Sequence, residues 1–193
     1  MTISISDVEQ LQQAKIQWLV SQIDVDFPTR ESVLGKACYL DLIDNAIPAQ
    51  PLLTENIDIN AVSKLTWMKV DFHKLTVLYA HFVANHVNIA EQSKEYLQEF
   101  LAQIILDNQS DDEGTHTLCV GFLGSELVAT CIVSIEQQTQ QQIQQEQLLI
   151  SDLLMDSDVD ISTELSSILY LFDFDTKRLS SLQIHMSQID YKS

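Results

Sequence analysis

The run L-L-I-S-D-L-L-M, Leu148 to Met155, restricts the fold more than any other stretch of the chain. It is mostly apolar, has no Gly or Pro, and has the length of a buried strand rather than of a helix. A loop carrying Asp156, Asp158 and Asp160 follows it. Leu165, Ile168, Leu169 and Phe172 then recur at helical spacing. A strand that leads through a short loop into a helix lays that helix on a sheet, so the class is α/β or α+β. The start of such a helix presents free N–H groups and a partial positive charge, which suit an anion. This loop has Asp in place of Gly and no Lys or Arg. The place is right for an anion and the charge is wrong.

That local sign extends over much of the chain. The formal net charge is −18, and from Glu95 to Thr176 there are sixteen Asp and Glu and no Lys or Arg. Such a field repels nucleic acid and polyphosphates and attracts a basic protein partner. At 193 residues and 46% hydrophobic composition, the chain can bury one sizeable core, alone or with a helical extension. No apolar run reaches about 18 residues, so no membrane span is expected. The first residues, M-T-I-S-I-S-D-V-E, lack the pattern of a signal peptide. Cys38, Cys119 and Cys131 show no C-x-x-C spacing and read as free thiols, so a cytoplasmic location is expected.

In chain order, Ser6 and Glu9 read as a capping box. The helix after them carries Val8, Leu11, Ile16, Leu19, Val20 and Ile23 on an apolar face. A second helix is expected from Arg30 to Asp44. Pro48 and Pro51 then read as breaks, and Pro51 to Asn60 as a connection. Residues 1–60 are therefore expected to be an N-terminal helical extension. Leu65–Val70 reads as a strand, Phe72–Val87 and Glu91–Asp107 as helices, and Asn108–Gly114 as an acidic loop. Thr117–Leu123 and Glu126–Ile135 are two strands joined at Gly124-Ser125, a hairpin signal. The Gln-rich tract Gln137–Gln147 is expected to be a solvated hairpin tip or loop. A helix from Ser162 to Phe172 and a strand from Leu182 to Met186 complete the order.

From about residue 62 to residue 190, this order and its local text resemble the GNAT superfamily of N-acetyltransferases. G-F-L-G-S-E-L-V-A-T-C-I-V is similar to the family's second and third strands, and L-L-I-S-D-L-L-M-D to its fourth. L-Q-I-H-M-S-Q-I-D is similar to its fifth. The resemblance implies a mixed, largely antiparallel sheet flanked by helices. It makes residues 61–193 a GNAT-like core lacking the final helix and strands. In the family, a Q/R-x-x-G-x-G/A motif after the fourth strand holds the pyrophosphate of acetyl-CoA. Aligned without a gap, Asp160 stands at the Gln/Arg position, Thr163 at the first Gly and Leu165 at the Gly/Ala. Side chains there crowd the approach that Gly leaves open, and the added carboxylates repel phosphate.

The expectation is therefore a protein without cofactor or catalytic residues. Its fold would act as an acidic protein-binding, regulatory or inhibitory module. The partner surface is assigned to Asp156, Asp158, Asp160 and Glu164, with Asp111, Asp112 and Glu113 contributing. An N-acetyltransferase that holds acetyl-CoA through a variant loop is the alternative, and a DNA mimic is a further one. The strand Leu182–Met186 is expected to leave a sheet edge, covered by the N-terminal helices or by a second copy in a homodimer. D-x-D-x-D at Asp156–Asp160 lacks the Gly and Glu of a calcium loop. His81 and His86, five apart, diverge on a helix and do not make a zinc pair. No metal is expected, and no nucleophile or nucleotide motif occurs.

Overall fold

Leu118 and Val120 of one strand turn to one side of a sheet, and Cys119 between them turns to the other. This period of two builds two separate apolar cores on one sheet. The computed structural model describes residues 5–53, 57–58, 61–104, 114–140, 143–156, 159–174 and 182–189. In chain order the elements are α1 (Ile5–Ser21), α2 (Arg30–Asp44), β1 (Ile47–Leu52), β2 (Thr66–Lys69), α3 (His73–His86) and α4 (Glu91–Ala102). Then come β3 (Gly114–Leu123), β4 (Glu126–Gln140), β5 (Ile143–Met155), α5 (Ile161–Tyr170) and β6 (Leu182–Gln188). The class is α+β. Among the described residues, six strands in the order β1-β6-β5-β4-β3-β2 form one mixed sheet. Every neighbouring pair is antiparallel except β5 and β6, which run parallel and are bridged by α5.

Helices α1 to α4 supply one core, in which Leu19, Tyr39, Phe82 and Phe100 meet Leu118, Ile132 and Leu154 of the sheet. Helix α5 covers the opposite face, where Leu165, Ile168 and Leu169 meet Cys131, Val133, Leu148 and Ile150. Helix α2 is N-capped by Thr29, whose Oγ1 accepts from Ser32 N at 3.1 Å. Its Gly35 lies against α4 so closely that an added Cβ would stand 1.9 Å from Tyr96 O. The hairpin at Gly124-Ser125 is present, with Gly124 at φ +62°, a conformation Gly adopts without strain.

Residues 1–60 hold more than helices. Residues 47–52, read from the sequence as a break and the start of a connection, form β1, which pairs antiparallel with β6 from Ile47↔Gln188 to Leu52↔Ile184. The β6 edge is covered by this strand, and neither the N-terminal helices nor a second copy is needed to cover it. Pro48 and Pro51 are tolerated because β1 is itself an edge strand, where a missing N–H interrupts least. The same two residues blunt that edge against further pairing. Of the two forms expected for the Gln-rich tract, hairpin tip or loop, it takes the hairpin: β4 and β5 stay paired from Glu136↔Gln147 to Gln140↔Ile143. Helix α4 stops at Ala102, short of the expected Asp107; most of the residues up to Asp107 lie outside the described ones. The helix α1 begins at Ile5, one residue ahead of the expected cap Ser6, whose side chain is outside the described set.

Candidate functional site

Two groups of polar side chains flank the C-terminal end of β5, a buried one built on a single carboxylate and an acidic one at the surface. The buried one starts from an irregularity in the strand. Ile132 pairs with Ser151 and Thr130 with Leu154, so Cys131 of β4 faces two residues of β5, Asp152 and Leu153. This bulge holds Asp152 at φ +53°, a left-handed conformation that Asp tolerates better than most residues. It turns the carboxylate into the layer of α1 and α2. There Lys15 Nζ donates to Asp152 Oδ1 at 2.6 Å and to Tyr39 Oη at 2.8 Å, while Tyr39 O–H donates to Asp152 Oδ2 at 2.5 Å. The three residues are 0%, 2% and 1% exposed for Lys15, Asp152 and Tyr39. Burial, and then the charge of Asp152, push the Tyr39 phenol well above its usual range, so it stays a donor. Next to this triad, His116 is held down at about 4, first by burial and then by the Lys15 charge. Its Nδ1 meets Ser134 Oγ at 2.8 Å.

None of the triad was among the candidate residues of the sequence, yet a signal for it exists. The buried stripe of α1 runs Val8, Leu11, Lys15, Leu19, with Ile23 continuing it just past the helix end, so a lysine occupies a core position of the helical repeat. A charge at such a place requires a buried counter-charge, and Asp152 is the acid inside the most apolar strand. The cluster is closed to solvent. It fixes the N-terminal helices to the sheet and offers no surface to a substrate.

The surface cluster is the loop from β5 to α5. Asp156 N donates to Val128 O at 3.0 Å, and its carboxylate lies 3.4 Å from His86 Nε2 at the end of α3. His86 Nδ1 faces the Phe82 carbonyl at 2.8 Å, which can only accept, so Nδ1 is the donor of that contact. Asp160 is the N-cap of α5: its Oδ1 accepts from Ser162 N at 3.0 Å. Hydrogen bonds from Ser162 hold this carboxyl below its usual range. Thr163, in the first turn, sends its N–H and its Oγ1 back to Asp160 O at 3.1 and 2.8 Å. Leu165 points into the core beneath α5.

Glu164 is the correction. The sequence places it on the acidic surface, but it is 0% exposed. Its carboxylate accepts from Lys64 N at 3.0 Å, from Trp67 Nε1 at 3.1 Å and from the Ser63 hydroxyl. The acid pins the lead-in to β2 against α5 and has no role at a surface. Asp158, Asp111, Asp112 and Glu113 lie outside the described residues. What the structure brings together from the assigned set is therefore Asp156 and Asp160, one on each side of the turn closed by Val159 N to Asp156 O at 3.1 Å. Among the described residues, no three metal-ligating side chains converge. No helix among them is long and apolar enough to cross a membrane. No model of a known protein family matches the chain, and no curated protein matches it significantly.

Proposed function

We propose that this chain is a non-catalytic α+β binding module whose β5–α5 loop docks a cationic protein surface. One observation carries the reading: among the N–H groups at the start of α5, that of Ser162 is taken by the exposed, ionised carboxylate of Asp160. In a strand–loop–helix unit those groups are what an anionic ligand would use. With Asp160 on them, the end of the unit presents negative charge, which repels a phosphate and attracts an ammonium or guanidinium group. Asp156 adds to this sign, and the sequence from Glu95 to Thr176 holds no Lys or Arg, the Lys64 charge reaching Asp160 from outside that window. Glu164 is excluded from the docking set because it is consumed inside the fold.

The reading takes the likeness to the GNAT superfamily as one of element order, without acetyl transfer. Thr163 and Leu165 stand where the family's motif has small residues, and Leu165 is committed to the core. The three cysteines are free, which supports placing the protein in a reducing compartment, the cytoplasm. Calorimetry with acetyl-CoA and, separately, with an oligolysine peptide tests the proposal. The expected result is no binding heat with acetyl-CoA, and salt-sensitive binding of the peptide that weakens in Asp156→Asn/Asp160→Asn. Micromolar binding of acetyl-CoA would favour the transferase alternative. Peptide binding unchanged by the double substitution would overturn the docking site.

A further inference from the structure

Cys119 of β3 and Cys131 of β4 stand directly opposite one another in the sheet. Both side chains turn to the α5 face, and both residues are 0% exposed. The backbone fixes which kind of pair they form. Val70 N donates to Leu118 O at 2.8 Å, so the peptide groups of Leu118 point towards β2. Those of the next residue, Cys119, point towards β4, because hydrogen-bonded and non-bonded positions alternate along an antiparallel strand. Cys119 and Cys131 therefore exchange backbone hydrogen bonds, which sets their Cα atoms about 5.5 Å apart. A disulfide spans about 4.4–6.8 Å between Cα atoms, so the strands already stand at bridging distance. The thiols themselves meet, Cys131 being hydrogen-bonded to Cys119.

Cys38 has no place in this pair. It lies on α2, on the other side of the sheet, and is partly exposed. The pair is sheltered in the closed fold. The hydrogen bond with Cys119, and then burial, push the Cys131 thiol up, and a protonated thiol is a poor nucleophile. Reaction therefore follows local opening of the layer over the sheet, and it favours a small oxidant such as hydrogen peroxide. One thiolate attacks the peroxide and becomes a sulfenic acid, releasing one water. The opposite thiol then attacks that sulfur and releases a second water, leaving an S–S bond. Two thiols lose two electrons and two protons, and the peroxide takes up both. With the second thiol in contact, the sulfenic acid is consumed before it can oxidise further.

The geometry points to Cys119 and Cys131 as an oxidation site, at which hydrogen peroxide closes a reversible disulfide between β3 and β4. The site is independent of the β5–α5 loop and of its partner. The test treats the full chain with hydrogen peroxide, unfolds it, and alkylates the remaining thiols with N-ethylmaleimide before mass spectrometry. In Cys38→Ser, the number of alkylated thiols is expected to fall from two to none, with a mass loss of two hydrogens. Cleavage after Glu126, which lies between the two cysteines, should leave the halves joined until dithiothreitol is added. The wild type should form the same bond and keep Cys38 free, and Cys131→Ser should form none. Two alkylated thiols in oxidised Cys38→Ser would overturn the inference. So would a wild-type bond through Cys38, or oxygen gained at Cys119 or Cys131 in place of the bond.

Discussion

The ammonium of Lys15 lies 2.6 Å from Asp152 Oδ1 and joins α1 to the bulge of β5 across 137 residues of sequence. Neither charge reaches water, so each depends on the other. Lys15→Met leaves the carboxylate with Tyr39 as its remaining partner and should cost about 3–5 kcal/mol of stability. Lys15→Met/Asp152→Asn removes both charges while keeping a residue that tolerates positive φ at position 152. It should recover a large part of that loss, giving a coupling energy clearly different from zero in a urea-denaturation cycle. Strict additivity of the two substitutions would mean the pair is not coupled.

Glu164 and Asp156 separate an acid used by the fold from one left at the surface. Glu164→Ala strands the buried indole N–H of Trp67 and the part-buried N–H of Lys64 and should destabilise by about 1–3 kcal/mol, with a red shift of Trp67 emission as the ring gains water. Asp156→Asn, half exposed beside His86, should change stability by no more than about 0.5 kcal/mol. Equilibrium unfolding followed by fluorescence reads both. Equal effects would contradict the burial of Glu164.

A helix interior ordinarily gains about 1 kcal/mol when Gly becomes Ala. Gly35 should show the opposite. A methyl group there would overlap Tyr96 O and Phe100 Cβ, so α2 must move off α4. Gly35→Ala is expected to lower stability by about 1–3 kcal/mol, the range for overpacked cores. Thermal unfolding of the two proteins decides the sign.

His116 predicts a pH dependence. Its folded-state pKa, lowered to about 4 by burial and by Lys15, lies below the value of about 6.5 in an unfolded chain. Between these values the unfolded state binds a proton that the folded state refuses. The contribution of neutral His116 is therefore complete above about pH 6.5 and is lost as the pH falls towards 4. The ring is only partly buried, and solvent screening holds the effect to about 1–2 kcal/mol. His116→Gln, which can still bond Ser134, should flatten this window. Urea midpoints from pH 4 to 7 for both proteins are the measurement, and parallel curves would refute the assignment.

Much of the fold is legible in the chain because its signals are local. The alternation in Thr117–Ile135 and the Gly124-Ser125 turn specify a hairpin wherever they occur, and α2 and α5 carry their own caps at Thr29 and Asp160. The acidity is likewise a property of the sequence alone. Other features depend on segments that meet only on folding. Pro48 and Pro51 read as breakers because a proline lacks a donor, and they become acceptable in β1 once β6 arrives on the other side. Glu164 carries the same charge as Asp160 four residues earlier. One is a surface cap and the other a buried acceptor, because the segment from Ser63 to Trp67 lies over only one of them. Lys15 interrupts an apolar stripe for no local reason. Its position makes sense only beside Asp152, since a charge leaves water only where tertiary structure supplies its opposite.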